Sequence, residues 1–182
     1  MYYEEYRLNY NFKTNRLTVK EWHSFEPKEL EEPDLESIVQ DLLVPEVTKR
    51  FPIMWRGNYD KRRAKFWIEE RDSESKTLLA VEKETKKPLG YINFFKEGDS
   101  RHGTYLRLGY LVSKAMWNNG LATELVEGFI HWCKENSVST VLAKVDPDNI
   151  ASIRVLEKND FLTKRTDTNG ISLLFVYDLI TE

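Results

Sequence analysis

One cysteine, Cys133, is all the thiol that this chain of 182 residues carries. A single thiol excludes an intramolecular disulfide and suits a reducing compartment. Histidine is nearly as scarce: there are three, scattered without the spacing of a zinc site, so no metal is expected. Long apolar runs are missing, and no stretch reaches the roughly 20 residues that a membrane-spanning helix needs. The first ten residues, MYYEEYRLNY, lack the basic-then-apolar layout of a secretory leader. Neither sign of charge dominates: 27 Lys+Arg stand against 30 Asp+Glu, a formal net charge of -3. No nucleic-acid partner and no membrane partner is therefore expected. No internal repeat or low-complexity linker interrupts the chain. These absences leave a cytoplasmic single domain over residues 1–182, with 1–14 as an N-terminal extension. It is large enough to bury a core without disulfides or metals.

What is present is an alternation of patterns. RLTVKEW (16–22) alternates apolar and polar residues and predicts a first strand, extended upstream through Tyr6 to Phe12. Leu35, Ile38, Leu42 and Leu43 recur at helical spacing until Pro45 breaks the run. YDKRRAKFWIEERD predicts a second helix, with Phe66, Trp67 and Ile68 on its apolar side. TLLAVEKETKKPLGYINFF predicts a hairpin turning near Glu84 to Lys87, and GTYLRLGYLV a further strand. From Leu121, the positions Leu125, Val126, Phe129, Ile130 and Cys133 place one helix face in a core, and the pattern fades at Asn136. VSTVLAKVDP, FLTKRT and GISLLFVYDLI predict strands and NIASIRVLEKN a short helix, with a turn at Asn169-Gly170 before the last strand. That order indicates an α/β or α+β domain with a mixed sheet.

AMWNNGLATELVEGF (115–129) departs from the usual order, because turn residues open a helix here. A helix start points unpaired backbone N–H groups outward, and these attract anions. Gly120 lets backbone and phosphate approach closely, Ala122 keeps the next inward position small, and Asn118 and Asn119 tolerate a bent backbone. A plain loop-to-helix junction with a glycine N-cap is the alternative. NNGLATEL lacks the Gly-Lys-Ser/Thr ending of a nucleotide P-loop, so phosphoryl transfer is a poor rival.

LGYLVSKAMWNNGLATELVEGFIHWC resembles the acyl-coenzyme-A-binding segment of the GNAT superfamily of N-acetyltransferases, nearest to its ribosomal-protein-alanine N-acetyltransferase branch. Gly109-Tyr110, Trp117 and Gly120-Leu121-Ala122-Thr123-Glu124 carry the match. NIASIRVLEKNDF resembles the branch's Asn-x-x-Ser-x-x-x-Leu-Glu-Lys-x-Gly-Phe segment. With NRLTVKEW, VPEVTKRF and KPLGYINFF, the likeness runs from about Asn15 to Asp178. It implies a GNAT fold: a mixed, mostly antiparallel sheet of about seven strands flanked by about four helices, splayed where acyl-coenzyme A binds. It implies acetyl-coenzyme A as co-substrate, with the N–H groups of Asn118, Asn119, Gly120, Leu121, Ala122 and Thr123 on its pyrophosphate and Trp117 in the loop. The backbones of Leu111 and Val112 would pair with the pantetheine arm, Asn149 would bond it or the neighbouring backbone, and Ser152 would lie near the sulfur. Asn149 as a helix N-cap and Ser152 as an exposed first-turn serine are the plainer readings.

The wider superfamily often has Gln or Arg three residues before the glycine, where this chain and the closer branch have Trp117. This chain departs from the family pattern at three further places. Asp160 stands where a glycine usually precedes the phenylalanine, and Arg107 where this branch often has a glutamate. Leu156 replaces a tyrosine that often serves as the acid. Glu97, Asp99 and His102 are the candidate bases, acting through a water, or else solvated turn residues. Tyr110 and Tyr177 fit either the site or the core. Without an evident carboxylate base the acceptor's own pKa matters. A lysine amine, pKa about 10.4, is free at pH 7 about once in a few thousand molecules, whereas an α-amine of about 7.7–8 is free in roughly a tenth. The implied activity is N-acetylation by direct attack of a protein or peptide α-amine or a small-molecule amine, in a possible homodimer. The alternative is a non-catalytic acyl-coenzyme-A-binding regulatory module, which Arg107 motivates.

Overall fold

The computed structural model describes residues 9–97, 103–166 and 172–179. Within them the chain forms β1 Asn11–Lys13, β2 Leu17–Glu21, α1 Leu35–Leu42, α2 Pro45–Thr48, α3 Lys61–Glu74, β3 Lys76–Glu82 and β4 Pro88–Glu97. Next come β5 Tyr105–Val112, α4 Leu121–Glu135, β6 Thr140–Val145, α5 Ile150–Lys158, β7 Leu162–Thr166 and β8 Leu173–Asp178. The strands make one sheet in the order β1-β2-β3-β4-β5-β6-β8-β7. Neighbours are antiparallel except β5 and β6, which run parallel. The mixed, mostly antiparallel sheet is as expected, with one strand and one helix more. The added strand is β1, which pairs with β2 from Asn11↔Lys20 to Lys13↔Thr18, so part of the N-terminal extension belongs to the sheet. The added helix starts at Pro45. Proline ends α1 but suits a first helical turn, where its φ is preset and no N–H is needed.

Both faces of the central strands are covered, which explains the uninterrupted apolar run in TLLAV. Leu78 and Ala80 face a core with Leu125, Val126, Phe129 and Cys133 of α4. Leu79 and Val81 face a second core with Ile38, Leu42, Trp67 and Ile68 of α1 and α3. Phe66 is the correction on α3: it is 54 % exposed, and its ring stacks outside on Trp55 at 5.9 Å. Ala64, Trp67 and Ile68, spaced three and four apart, are the inward residues instead. Among the described residues no helix is long and apolar enough to cross a membrane.

Two local devices set the position of the α4–α5 segment. Glu124, in the first turn of α4, accepts from Thr14 Oγ1 (2.5 Å), the Arg16 amide (2.7 Å) and Arg16 Nε (2.6 Å), tying the helix start to the β1–β2 turn. Burial pushes this carboxyl up, but the bonds from Thr14 and Arg16 outweigh burial and hold it below the usual range. Its stabilisation is therefore complete above the ordinary carboxylate value of 4.5 and is lost as pH falls through the lower folded value. Glu124→Gln is expected to cost about 1–2 kcal/mol at pH 7 in urea unfolding, and the gap to the parent should narrow in acid. The backbone at Asp160 explains why a glycine usually stands there in the family pattern. Its φ is +61°, the left-handed region that glycine enters freely and aspartate tolerates. Asp160→Gly is expected to gain about 0.5 kcal/mol, read as a raised denaturant midpoint.

Candidate active site

The sheet opens along one edge of β5. On the β4 side the ladder runs from Gly90↔Val112 to Glu97↔Tyr105. On the β6 side only Tyr105, Arg107 and Leu106 between them are paired, with Thr140, Leu142 and Val141. From Leu108 onward β5 and β6 diverge, which is the expected splay. Backbone groups alternate sides along a strand. Ser113 donates its N–H to Leu89 O at 2.7 Å, so Leu111 is also turned towards β4, while Tyr110 and Val112 face the opening. Of the two backbones expected to meet the pantetheine arm, Val112 faces the opening and Leu111 faces β4, and Tyr110 is the other that faces the opening. Val112 O accepts from Trp117 Nε1 at 3.2 Å, so the indole braces the loop against the strand it leaves.

The loop itself is built for bending. Asn118 has φ +61° and Gly120 has φ +80°. A Cβ at Gly120 would meet nothing within 4 Å, so it is the backbone angle that calls for glycine there. The first helical bond of α4 is donated by Glu124 to Gly120 O at 3.1 Å, which leaves the N–H groups of Ala122 and Thr123 ahead of the ladder. Leu121 donates to Asn119 Oδ1 at 3.3 Å. No acidic residue lies between Trp117 and Thr123. Arg16, which sequence reading did not single out, donates from Nη1 to Asn119 O at 3.3 Å and sets a guanidinium beside the loop.

The start of α5 faces the same opening. Asn149 Oδ1 accepts from the Ser152 amide at 3.3 Å, so Asn149 is an N-cap whatever else it does. Ser152 Oγ lies 2.7 Å from the Tyr110 hydroxyl, which also donates to Ser152 O at 3.2 Å. Burial pushes the Tyr110 phenol up to about 12, against a smaller lowering by Ser152. Asn159 fixes α5 to α4 by donating to Thr123 O (3.2 Å) and Val155 O (2.9 Å). Leu156, where the family tyrosine would stand, is fully buried in the core. The phenol beside Ser152 comes from β5 instead.

The candidate bases fare differently. Glu97 sits at the far end of the hairpin, held by Arg107 through Nε (2.6 Å) and Nη2 (2.5 Å). Arg107 is five residues from Val112, roughly 16 Å along a strand. Both oxygens of Glu97 are thus engaged away from the opening. Asp99 and His102 lie outside the described residues. Tyr177 packs its ring against Phe161 at 5.4 Å, a core contact. Cys133 is fully buried, and burial pushes its thiol up, which fits the core role read from its helix spacing.

On the opposite face of β5 lies a cavity of about 480 Å³, lined among others by Trp55, Trp67, Glu70, Asn93 and Tyr110. A Cβ on Gly109 would run into the Asn93 side chain, so this glycine lets the amide lie across β5. Tyr110 therefore belongs to both sides: it lines the cavity, and its hydroxyl reaches Ser152.

An opened strand edge, an amide-rich turn, two helix starts and a cavity behind them make up the candidate site of this α/β domain. Residues 27–162 match the family model described as Acetyltransferase (GNAT) domain, and the chain belongs to that family. Acetyl transfer from acetyl-coenzyme A is the family's activity. Among curated proteins the chain is similar to YkkB of Bacillus subtilis (strain 168), an uncharacterized protein, with 28% identity over 110 residues, 57% of this chain. The match spans 63% of that relative's length. Among solved structures it is similar to a GNAT-family acetyltransferase from Bacillus anthracis, with TM-score 0.71, 18% identity, and 93% and 98% of the two chains covered. It is also similar to RimL, a ribosomal L7/L12 alpha-N-protein acetyltransferase in complex with coenzyme A, with TM-score 0.67, 13% identity, and 91% and 95% covered. At such identities these likenesses speak for the fold.

Proposed function

We propose that this chain is an N-acetyltransferase that passes an acetyl group from acetyl-coenzyme A to an amine by direct attack. The observation that carries the reading is the edge of β5 at Tyr110 and Val112, beyond the end of the β6 ladder, set between an amide-rich loop and the Tyr110–Ser152 hydroxyl pair. The residues present fit the ligand. The N–H groups of Ala122 and Thr123, the positive end of α4 and the Arg16 guanidinium suit a diphosphate. The edge of β5 suits an amide-containing arm that pairs with it as an added strand would.

When bound, acetyl-coenzyme A supplies an activated acyl carbon. The Val112 N–H polarises the acyl oxygen. An amine in the cavity approaches from the α3 face past Asn93 and Gly109. Ser152, backed by Tyr110, hydrogen-bonds the departing sulfur and gives it a proton, and the hydroxyl pair regains one from the water that takes up the amine's proton. With Glu97 engaged by Arg107, the amine arrives deprotonated or loses its proton to water, which suits an amine of modest pKa.

A thiol-release assay over peptides and small amines tests this reading: acceptor-dependent release of coenzyme A supports it. Binding of acetyl-coenzyme A with no turnover on any acceptor would instead favour a regulatory module, for which the Arg107–Glu97 pair is the supporting observation.

A further inference from the structure

A polar side chain in the wall of the α3-face cavity is not used by the packing around it. Tyr91 of β4 and Leu111 of β5 turn towards α1 and α3 in the second core, and Asn93, two residues on from Tyr91, turns the same way. Apolar and aromatic side chains fill that core, yet a half-buried carboxamide stands at this position and lines the cavity. Among the described residues it makes no side-chain hydrogen bond. It is not spent on its register partner on β3 either, since the Thr77 hydroxyl is buried without a partner.

Gly109, opposite Asn93 in the β4–β5 ladder, makes room for it. A Cβ there would collide with Asn93 Oδ1, with Cγ at 3.2 Å and Nδ2 at 3.4 Å, so the carboxamide lies over β5 with its oxygen nearest the strand. The charged groups that face it are engaged. Arg71 of α3 reaches Glu70 at 3.4 Å and Glu74 at 2.7 Å, and Arg107, two residues before Gly109, holds Glu97. Burial pushes the phenols of Tyr91 and Tyr110 up, so both stay neutral. What this wall offers an arriving amine is a hydrogen-bond acceptor that is not a base.

We infer, on the basis of the acetyl-transfer reading above, that Asn93 receives the acceptor: its Oδ1 accepts an N–H of a neutral primary amine and aims the nitrogen lone pair at the acyl carbon. As the nitrogen–carbon bond forms and the carbon–sulfur bond breaks, the nitrogen turns positive. The hydrogen bond to Asn93 then strengthens, which favours the transition state over the bound amine. The N–H that Asn93 holds stays in the product amide, and the other proton leaves to water.

Three variants test this, with whichever of alaninamide, phenethylamine and spermidine the parent turns over fastest. Asn93→Ala is expected to lower kcat about 10-fold, with affinity for acetyl-coenzyme A in calorimetry within about twofold of the parent. Gly109→Ala pushes the carboxamide off the strand and should show the same loss, and the double variant should be no slower than Asn93→Ala. It also serves in place of Asn93→Ala if that variant fails to fold. Asn93→Asp keeps the size and brings a charge. A carboxylate touching the amine favours its protonated form, so the rising limb of kcat against pH, which reports the bound amine, should move up by about 1 pH unit. A residue that only shaped the wall would leave that limb in place. Asn93→Ala as fast as the parent, or a limb that Asn93→Asp leaves in place or lowers, would overturn the inference while parent turnover keeps the acetyl-transfer reading. A parent that releases no thiol with any of the three amines overturns both.

Discussion

Gly120→Glu is expected to lower affinity for coenzyme A by at least about 100-fold, with the far-ultraviolet circular dichroism unchanged. Two effects add at this position. The new carboxylate stands at the positive end of α4, where the proposed diphosphate has to lie, and like charges repel. The backbone at φ +80° also disfavours any side chain, by about 1–2 kcal/mol. That strain is small against a typical stability of about 5–15 kcal/mol, and a Cβ here meets nothing within 4 Å, so the fold should survive. Gly120→Ala separates the two effects, because it carries the strain without the charge. It should cost about 5–10-fold in affinity. Titration calorimetry with coenzyme A reads both variants. A glutamate variant that binds as tightly as the parent would place the anion elsewhere and remove the basis of the acetyl-transfer reading.

The loop around Gly120 was legible in the sequence because its signals are local. A positive φ calls for glycine or asparagine, and the helix after it announces itself by the spacing of Leu121, Leu125 and Phe129. The same holds for the hairpin of β3 and β4, whose turn and apolar runs are contiguous. Contacts between distant segments left no such mark. Arg16 and Asn119 are 103 residues apart, and Tyr110 and Ser152 are 42 apart, so neither pair forms a pattern along the chain. The cavity is a stronger case, since its lining comes from the segment around Trp55, from α3, from β4 and from β5. Phe66 shows a different limit. Three adjacent apolar residues cannot all face one side of a helix, and only packing selects Trp67 and Ile68 over it. The swap of Leu111 for Tyr110 at the open edge follows from the phase of the β4–β5 ladder, which no residue type encodes. The absence of a tyrosine at Leu156 was visible in the sequence, and Tyr110 was read there as fitting either the site or the core, but its contact with Ser152 was not legible.

Under the proposed reading the Tyr110–Ser152 pair has a measurable consequence. Tyr110→Phe is expected to lower kcat about 10–30-fold with KM for acetyl-coenzyme A unchanged, and Ser152→Ala to lower it by a similar or larger factor. If the phenol acts through the serine, the double variant should be no slower than Ser152→Ala alone, because two members of one relay do not contribute independently. Additive losses would mean that each hydroxyl acts separately. The pH profile adds a test that a purely structural role would not meet. With burial pushing Tyr110 up to about 12, the phenol stays protonated throughout the usable range. The loss in Tyr110→Phe should therefore be constant from about pH 6 to 10, with no limb gained or lost. An acidic limb in the parent, with activity rising as pH rises, that disappears in the variant would show the phenol acting in its ionised form, as a base rather than a proton donor. In that event the proton would move away from the acceptor amine rather than towards the leaving sulfur, and the roles assigned to Tyr110 and Ser152 would have to be exchanged.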